Sequence, residues 1–221
     1  MIIKYWKDAA VLADLHVGIE LDTSVLGARL PVLLERYVQV LDQVDTPRLI
    51  IVGDLKHEIL GAGKYVQRFC SWLAGKFEEV IIVKGNHDGK IEEVVQGCKN
   101  VRVVKYWLED GTLFAHGHQR LPAVQFSRLV LGHIHPAIPL VLEEEITIQE
   151  MIKCLLRYEG EPEIEILPAA NPLIVGTNVI EFSFDLPPLK QLNVQPEYFT
   201  VYAEGVRLGK LQDLKNYVYK T

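Results

Sequence analysis

Apolar residues in the first part of the chain gather in short unbroken runs, each closed by glycine and polar side chains. AAVLAD (9–14), RLIIVGD (48–54), EVIIVKGN (79–86), TLFAHGH (112–118) and RLVLGHIH (128–135) have the length and branching of strands buried on both faces. PVLLERYVQVLDQV (31–44) changes period: Pro31 suits a first helical turn, and Leu33, Leu34, Tyr37, Leu41 and Val44 form one apolar face. KYVQRFCSWLAGKF (64–77) and KIEEVVQG (90–97) are further helix candidates between later strands. This alternation predicts an α/β sheet covered by helices on both faces. After Pro136 the pattern becomes strand-like, in MIKCLLRY (151–158), EIEILP (163–168), NVIEFSF (178–184) and YFTVYAEG (198–205), before LQDLKNYVYK (211–220) closes as a helix. Turn signals stand at Pro168, Asn171-Pro172 and Pro187-Pro188. The acidic residues at 143–145 and 159–165 read as a solvated face.

Composition narrows the picture. A chain of 221 residues, 49% of them hydrophobic, can bury a core of its own and is expected to form one domain over residues 1–221. Cys70, Cys98 and Cys154 share no CxxC spacing, so neither a disulfide framework nor a thiolate zinc site is expected. With three residues before Lys4 and no apolar run of about 18 residues, the expectation is a soluble, cytoplasmic protein with no membrane partner. A net charge of −6 argues against a broadly basic nucleic-acid surface and leaves room for a local positive site.

The polar residues then change the picture. Each of the five runs ends, on its carboxyl side, in candidate metal ligands: Asp14 and His16; Asp54 and His57; Asn86, His87 and Asp88; His116 and His118; His133 and His135. All seven histidines sit in these clusters and none follows His135. One histidine would read as an ordinary core or surface residue; five clusters at strand ends, where open α/β sheets build their sites, do not.

These motifs, Asp14-Leu15-His16, Gly53-Asp54, Gly85-Asn86-His87-Asp88, His116-Gly117-His118 and Gly132-His133-Ile134-His135, resemble in kind and order those of the calcineurin-like metallophosphoesterase superfamily. GDLKH (53–57) and PAANPLIVG (168–176) further resemble the bacterial and archaeal branch of ligase-associated DNA damage response endonucleases or phosphoesterases. The resemblance implies a four-layer α/β/β/α sandwich with mixed sheets, its motifs in residues 1–135 and a strand-rich completion in 136–221. It implies two divalent ions, which activate water and hold developing charge when about 3.5–4 Å apart. Asp14, His16 and His135 would hold one, Asn86, His116 and His133 the other, and Asp54 would bridge them. His87 would stabilise charge on the phosphate or act as general acid, with Asp88 orienting its ring. Gly85 and Gly89 would give the turn unusual dihedrals. Mixed imidazole and carboxylate ligation suits manganese first, with zinc, iron, cobalt or nickel also compatible.

The superfamily's second motif usually ends in an acid, GDxxD or GDxxE, where this chain has His57. His57 is therefore expected in a supporting role or a different local network, not among the ligands. His118 could touch substrate or stand as a supporting imidazole, and Arg120 could meet a phosphate bidentately. Rival motifs fail: HEILG (57–61) lacks the second histidine of HExxH, and a phosphate loop would need glycine at Glu58 and Ser or Thr at Tyr65. The expected activity is hydrolysis of a phosphodiester in a nucleotide or DNA, helped by nearby cations such as Lys56 and Arg120. The competing reading is a non-catalytic scaffold of the same fold, in which ligands are commonly lost; here every expected position is filled. The region after Pro136 could complete a second sheet, shape the substrate mouth or make a homodimer contact.

Overall fold

The structure, a computed structural model, describes residues 3–19, 31–59, 63–142 and 148–218. Strand β1 (Lys4–Trp6) runs antiparallel to β2 (Ala9–Leu12). β3 (Arg48–Val52), β4 (Glu79–Val83) and β5 (Val101–Val104) then follow β2 in parallel, each beside the last. Between them lie helices α1 (Pro31–Asp42), α2 (Lys64–Lys76) and α3 (Ile91–Val95).

A nine-stranded mixed sheet holds β6 (Trp107–Glu109), β7 (Thr112–Phe114), β8 (Arg128–Leu131), β9 (Pro136–Leu142), β10 (Ile148–Tyr158), β11 (Glu163–Ile166), β12 (Thr177–Asn178), β13 (Thr200–Ala203) and β14 (Val206–Lys210). β7, β8 and β11 are parallel neighbours, whereas the long β10 pairs antiparallel with β9, β11 and β13. Two short helices, α4 (Pro187–Gln191) and α5 (Leu211–Val218), complete the chain.

The period-two alternation of the strands sets the layers. Ala10, Leu12, Leu49, Ile51, Val80 and Ile82 pack outward with Tyr37 and Leu41 of α1, Phe69 and Leu73 of α2, and Ile91 and Val95 of α3. The intervening Ala9, Val11, Ile50, Val52, Ile81 and Val83 face Phe114, Val130 and Leu167 of the second sheet. Ile50, Ile81 and Phe114 are fully buried there, a contribution of about 1.5–3 kcal/mol each. Leu113, Leu129, Leu131, Ile164 and Ile166 point the other way, onto Leu189 of α4, Leu211 of α5 and Phe184, Val194 and Phe199 of the loops around them.

The first sheet thus carries its described helices on one face only, and its other face meets a second sheet. This corrects the two-sided expectation drawn from periodicity, because a strand buried under a sheet reads the same as one buried under a helix. The order of layers is α/β/β/α, as the motif resemblance implies.

Two local expectations also change. NVIEFSF forms no strand beyond Asn178: the Asn178 side-chain oxygen accepts from the Ile180 N–H at 3.0 Å and its carbonyl from Phe182 at 3.1 Å, turning the chain. Glu165 is not on a solvated face. It is 3% exposed and pairs with Arg157 at 2.7 Å and with Lys4 of the other sheet. Residues 143–147 and the side chains of Leu33 and Leu34 lie outside the described residues.

Candidate metal centre

The carboxyl ends of β2, β3 and β4 and of the parallel β7 and β8 converge at one edge of the sandwich, and the five motifs follow these strands directly. Their backbone turns sharply at once. Asp14, His16, Asp54, His133 and His135 have φ of 56°, 42°, 47°, 78° and 49°, a left-handed conformation that costs energy for such residues and collects at functional sites.

The turns bring the side chains into two groups. Asp14, His16 and His135 place donor atoms within 4.8 Å of one another, as do Asp54, His116 and His133. His16 Nε2 lies 3.4 Å from His135 Nε2, and His135 Nε2 lies 3.4 Å from Asp14 Oδ1. Asn86 Oδ1 joins the second group, 3.2 Å from His116 Nε2. Asp54 stands between the groups, its Oδ2 3.5 Å from His16 Nε2 and 3.2 Å from His116 Nε2. His133 donates its N–H to Asp14 Oδ2 at 3.0 Å, which locks the β8 turn of one sheet to the β2 turn of the other.

The GNHD turn is arranged differently from its sequence expectation. His87 Nδ1 lies 2.6 Å from the main-chain carbonyl oxygen of His57, while the Asp88 carboxylate accepts the N–H groups of Gly85 at 2.9 Å and Lys56 at 3.2 Å. Asp88 therefore pins the turn, and the contact that orients the His87 ring is made by His57 backbone. Gly85 does not have positive φ; a Cβ there would collide with the Asp54 carboxylate, so its value is close approach. The His87 N–H donates to Asp54 Oδ1 at 2.8 Å. His57 Nδ1 comes within 3.4 Å of His16 Nδ1, and His16, His57 and His87 form a third group of potential donors.

Lys56 is not a surface cation. It is fully buried, and its ammonium donates to the carbonyls of His87 at 2.7 Å, Ile59 at 3.0 Å and Glu58. Burial lowers its pKa, with the charge of Asp88 opposing the shift. Asn171, which the sequence marked as part of a turn and of the PAANPLIVG segment, is also fully buried: Nδ2 donates to the Leu15 carbonyl at 2.7 Å, bracing the DLH loop from the chain that follows β11. An asparagine in the otherwise apolar PAANPLIV was its signal.

Burial lowers His16 to about 4 against the pull of Asp54 and Asp14, and burial followed by the charge of His116 takes His133 to about 4. Both rings are neutral at pH 7, as metal ligands must be. At His116 burial also works downward, but its hydrogen bond to Asp54 and the charges of Asp14 and Asp54 prevail and hold it at about 9. Burial would raise the Asp54 carboxyl, yet the hydrogen bond and charge of His116 keep it below the ordinary range. The oxygens of Asp14, Asp54 and Asn86 thus create a place that favours positive charge, and nitrogens stand around it. That donor set fits a first-row divalent ion.

The chain belongs to the calcineurin-like phosphoesterase family, whose pattern it matches over residues 9–220. That family membership makes it a metal-dependent phosphoesterase. The fold is shared with a nuclease, MPE, from Pseudomonas putida, at a TM-score of 0.62 and 20% identity over 94% of this chain and 90% of that one. A protein of unknown function from Aquifex aeolicus matches at a TM-score of 0.40 and 18% identity over 57% of this chain and 78% of that one. No curated protein sequence matches the chain.

Proposed function

We propose that the protein is a dinuclear metal-dependent phosphodiesterase acting on a nucleotide or nucleic acid. The observation that carries this reading is the position of Asp54, whose Oδ2 faces His16 of one donor group and His116 of the other. Asp14, His16 and His135 would hold one ion, Asn86, His116 and His133 the second, and Asp54 both. When bound, the ions would lower the pKa of a water toward neutrality and hold the negative charge that develops on the phosphate.

The remaining steps belong to the chain. Asn86 supplies an oxygen without charge, so the centre stays electropositive and attracts an anionic ester. The His57 carbonyl accepts the His87 Nδ1–H and orients the ring, so that in its imidazolium form Nε2–H would donate to a phosphate oxygen or the leaving group. Asp88 and Lys56 hold the turn that carries His87. The nuclease name of the Pseudomonas putida protein agrees with a nucleic-acid substrate.

The test is metal content together with hydrolysis of bis-p-nitrophenyl phosphate and p-nitrophenyl phosphate in manganese. Two ions per chain and faster cleavage of the diester are expected. A preference for the monoester would sink the diesterase reading. No hydrolysis of either ester or of single-stranded DNA, across several metals, would favour a non-catalytic scaffold.

A further inference from the structure

Beside His116, on the flank of the second donor group, a cavity of about 150 Å³ opens between the end of β5 and the chain that follows β7. Lys105, Tyr106, His118, Arg120 and Leu121 are among its lining residues, which include no aspartate or glutamate. In a chain of net charge −6 that bias is informative. Neither Lys105 nor Arg120 has a carboxylate within ion-pair distance among the described residues, so both charges are open to a ligand.

His118 adds a second signal. Its ring lies 5.2 Å from that of His116, and its Nδ1 is buried without a hydrogen-bond partner among the described residues. Tyr106, 40% exposed, adds an aromatic side chain at the rim. Arg120 also lines a second open cavity with Asp185, Pro187, Lys190 and Gln191, so the recess continues away from the centre.

We infer that this recess is a subsite for the nucleotide next to the scissile phosphate of a single strand. Lys105 and Arg120 would take the neighbouring phosphate, and Tyr106 a base face, with the His118 ring as part of the wall between them and the centre. The nature of this ligand rests on the phosphodiesterase reading above. About 150 Å³ is small for a whole nucleotide and suits a phosphate with part of its sugar, the remainder lying over the open side. The subsite makes the enzyme prefer an oligonucleotide to a small diester that has no second phosphate.

The experiment measures binding apart from turnover. A fluorescent single-stranded oligodeoxynucleotide is titrated with EDTA-treated protein at several salt concentrations, comparing wild type with Lys105→Ala, Arg120→Ala and the surface control Lys99→Ala. Lys105→Ala and Arg120→Ala should each weaken binding several-fold and reduce the slope of log K against log salt by about 0.7, the value for one lost single-strand phosphate contact. Lys99→Ala should leave both unchanged. In manganese, the two recess variants should lose at least tenfold more kcat/KM on the oligonucleotide than on bis-p-nitrophenyl phosphate. Unchanged affinity and slope, or equal losses on both substrates, would overturn the subsite even if the enzyme cleaves diesters. Binding that depends on both cations in a protein that cleaves no diester would support the subsite and remove the phosphodiesterase reading instead.

Discussion

The ring of His87 is held by the backbone of His57: Nδ1 stands 2.6 Å from the His57 carbonyl oxygen, and the two imidazoles stack with centroids 5.5 Å apart. His57 occupies the sequence position at which the second motif usually carries an acid, and its backbone still supplies His87 with an orienting contact. His87→Ala should lower kcat on a diester by a factor on the order of 10² to 10⁴ with metal content unchanged. His57→Ala keeps the carbonyl and should lose less than about tenfold, the modest end of such effects. Loss of metal in His87→Ala, measured by elemental analysis, would place that ring among the ligands.

Asp54 faces both donor groups, and its substitution should act on both at once. Asp54→Asn is expected to reduce bound manganese from two ions per chain to one or fewer and to lower turnover by at least about 10². Far-ultraviolet circular dichroism should stay unchanged. Two tightly held ions in this variant would show that Asp54 does not bridge.

Metal binding should release protons in a pH window set by His116. In metal-free protein His116 stays protonated up to about 9, whereas His16 and His133, at about 4, are already neutral at pH 7. An ion entering at His116 therefore displaces about one proton at neutral pH, and apparent affinity rises with pH until about 9. Calorimetry in buffers of different ionisation enthalpy reads the number directly. Proton release that is absent at pH 7 would contradict the assignment of His116.

Lys56 is the most testable of the buried groups. Lys56→Met leaves three loop carbonyls without their donor and should cost about 1–3 kcal/mol, a fall in Tm of roughly 2–12 °C. Because one of those carbonyls belongs to His87, kcat should fall as well, with metal content intact. A variant with wild-type Tm and kcat would make the clamp incidental.

The first sheet was legible because β2, β3 and β4 are apolar at nearly every position and their ligands follow at once. What covers each face was not legible, since Ile50 under a sheet and Ile51 under a helix are the same residue type with the same burial. Gathering the histidines needed only their strand-end positions; the backbone contact from His57 to His87 could not be read, because a carbonyl has no sequence signature. Lys56 and Glu165 misled for one reason: a charged side chain reads as solvated until the carbonyls or counter-ions that enclose it are seen in three dimensions. In NVIEFSF the β-forming composition yielded to one asparagine that bonds its own backbone.

Asp14, His16, Asp54 and Asn86 hang from one sheet, and His116, His133 and His135 from the other. The distance between the two halves of the centre is therefore set by the small and medium side chains packed between the sheets, among them Ala9, Ala13 and Val130. That layer works as the spacer of a calliper whose jaws are the two sheets, each donor group being closed by ligands from both. Enlarging Ala13, deep in the layer and never in touch with a substrate, would register first as a change in which ion the jaws fit.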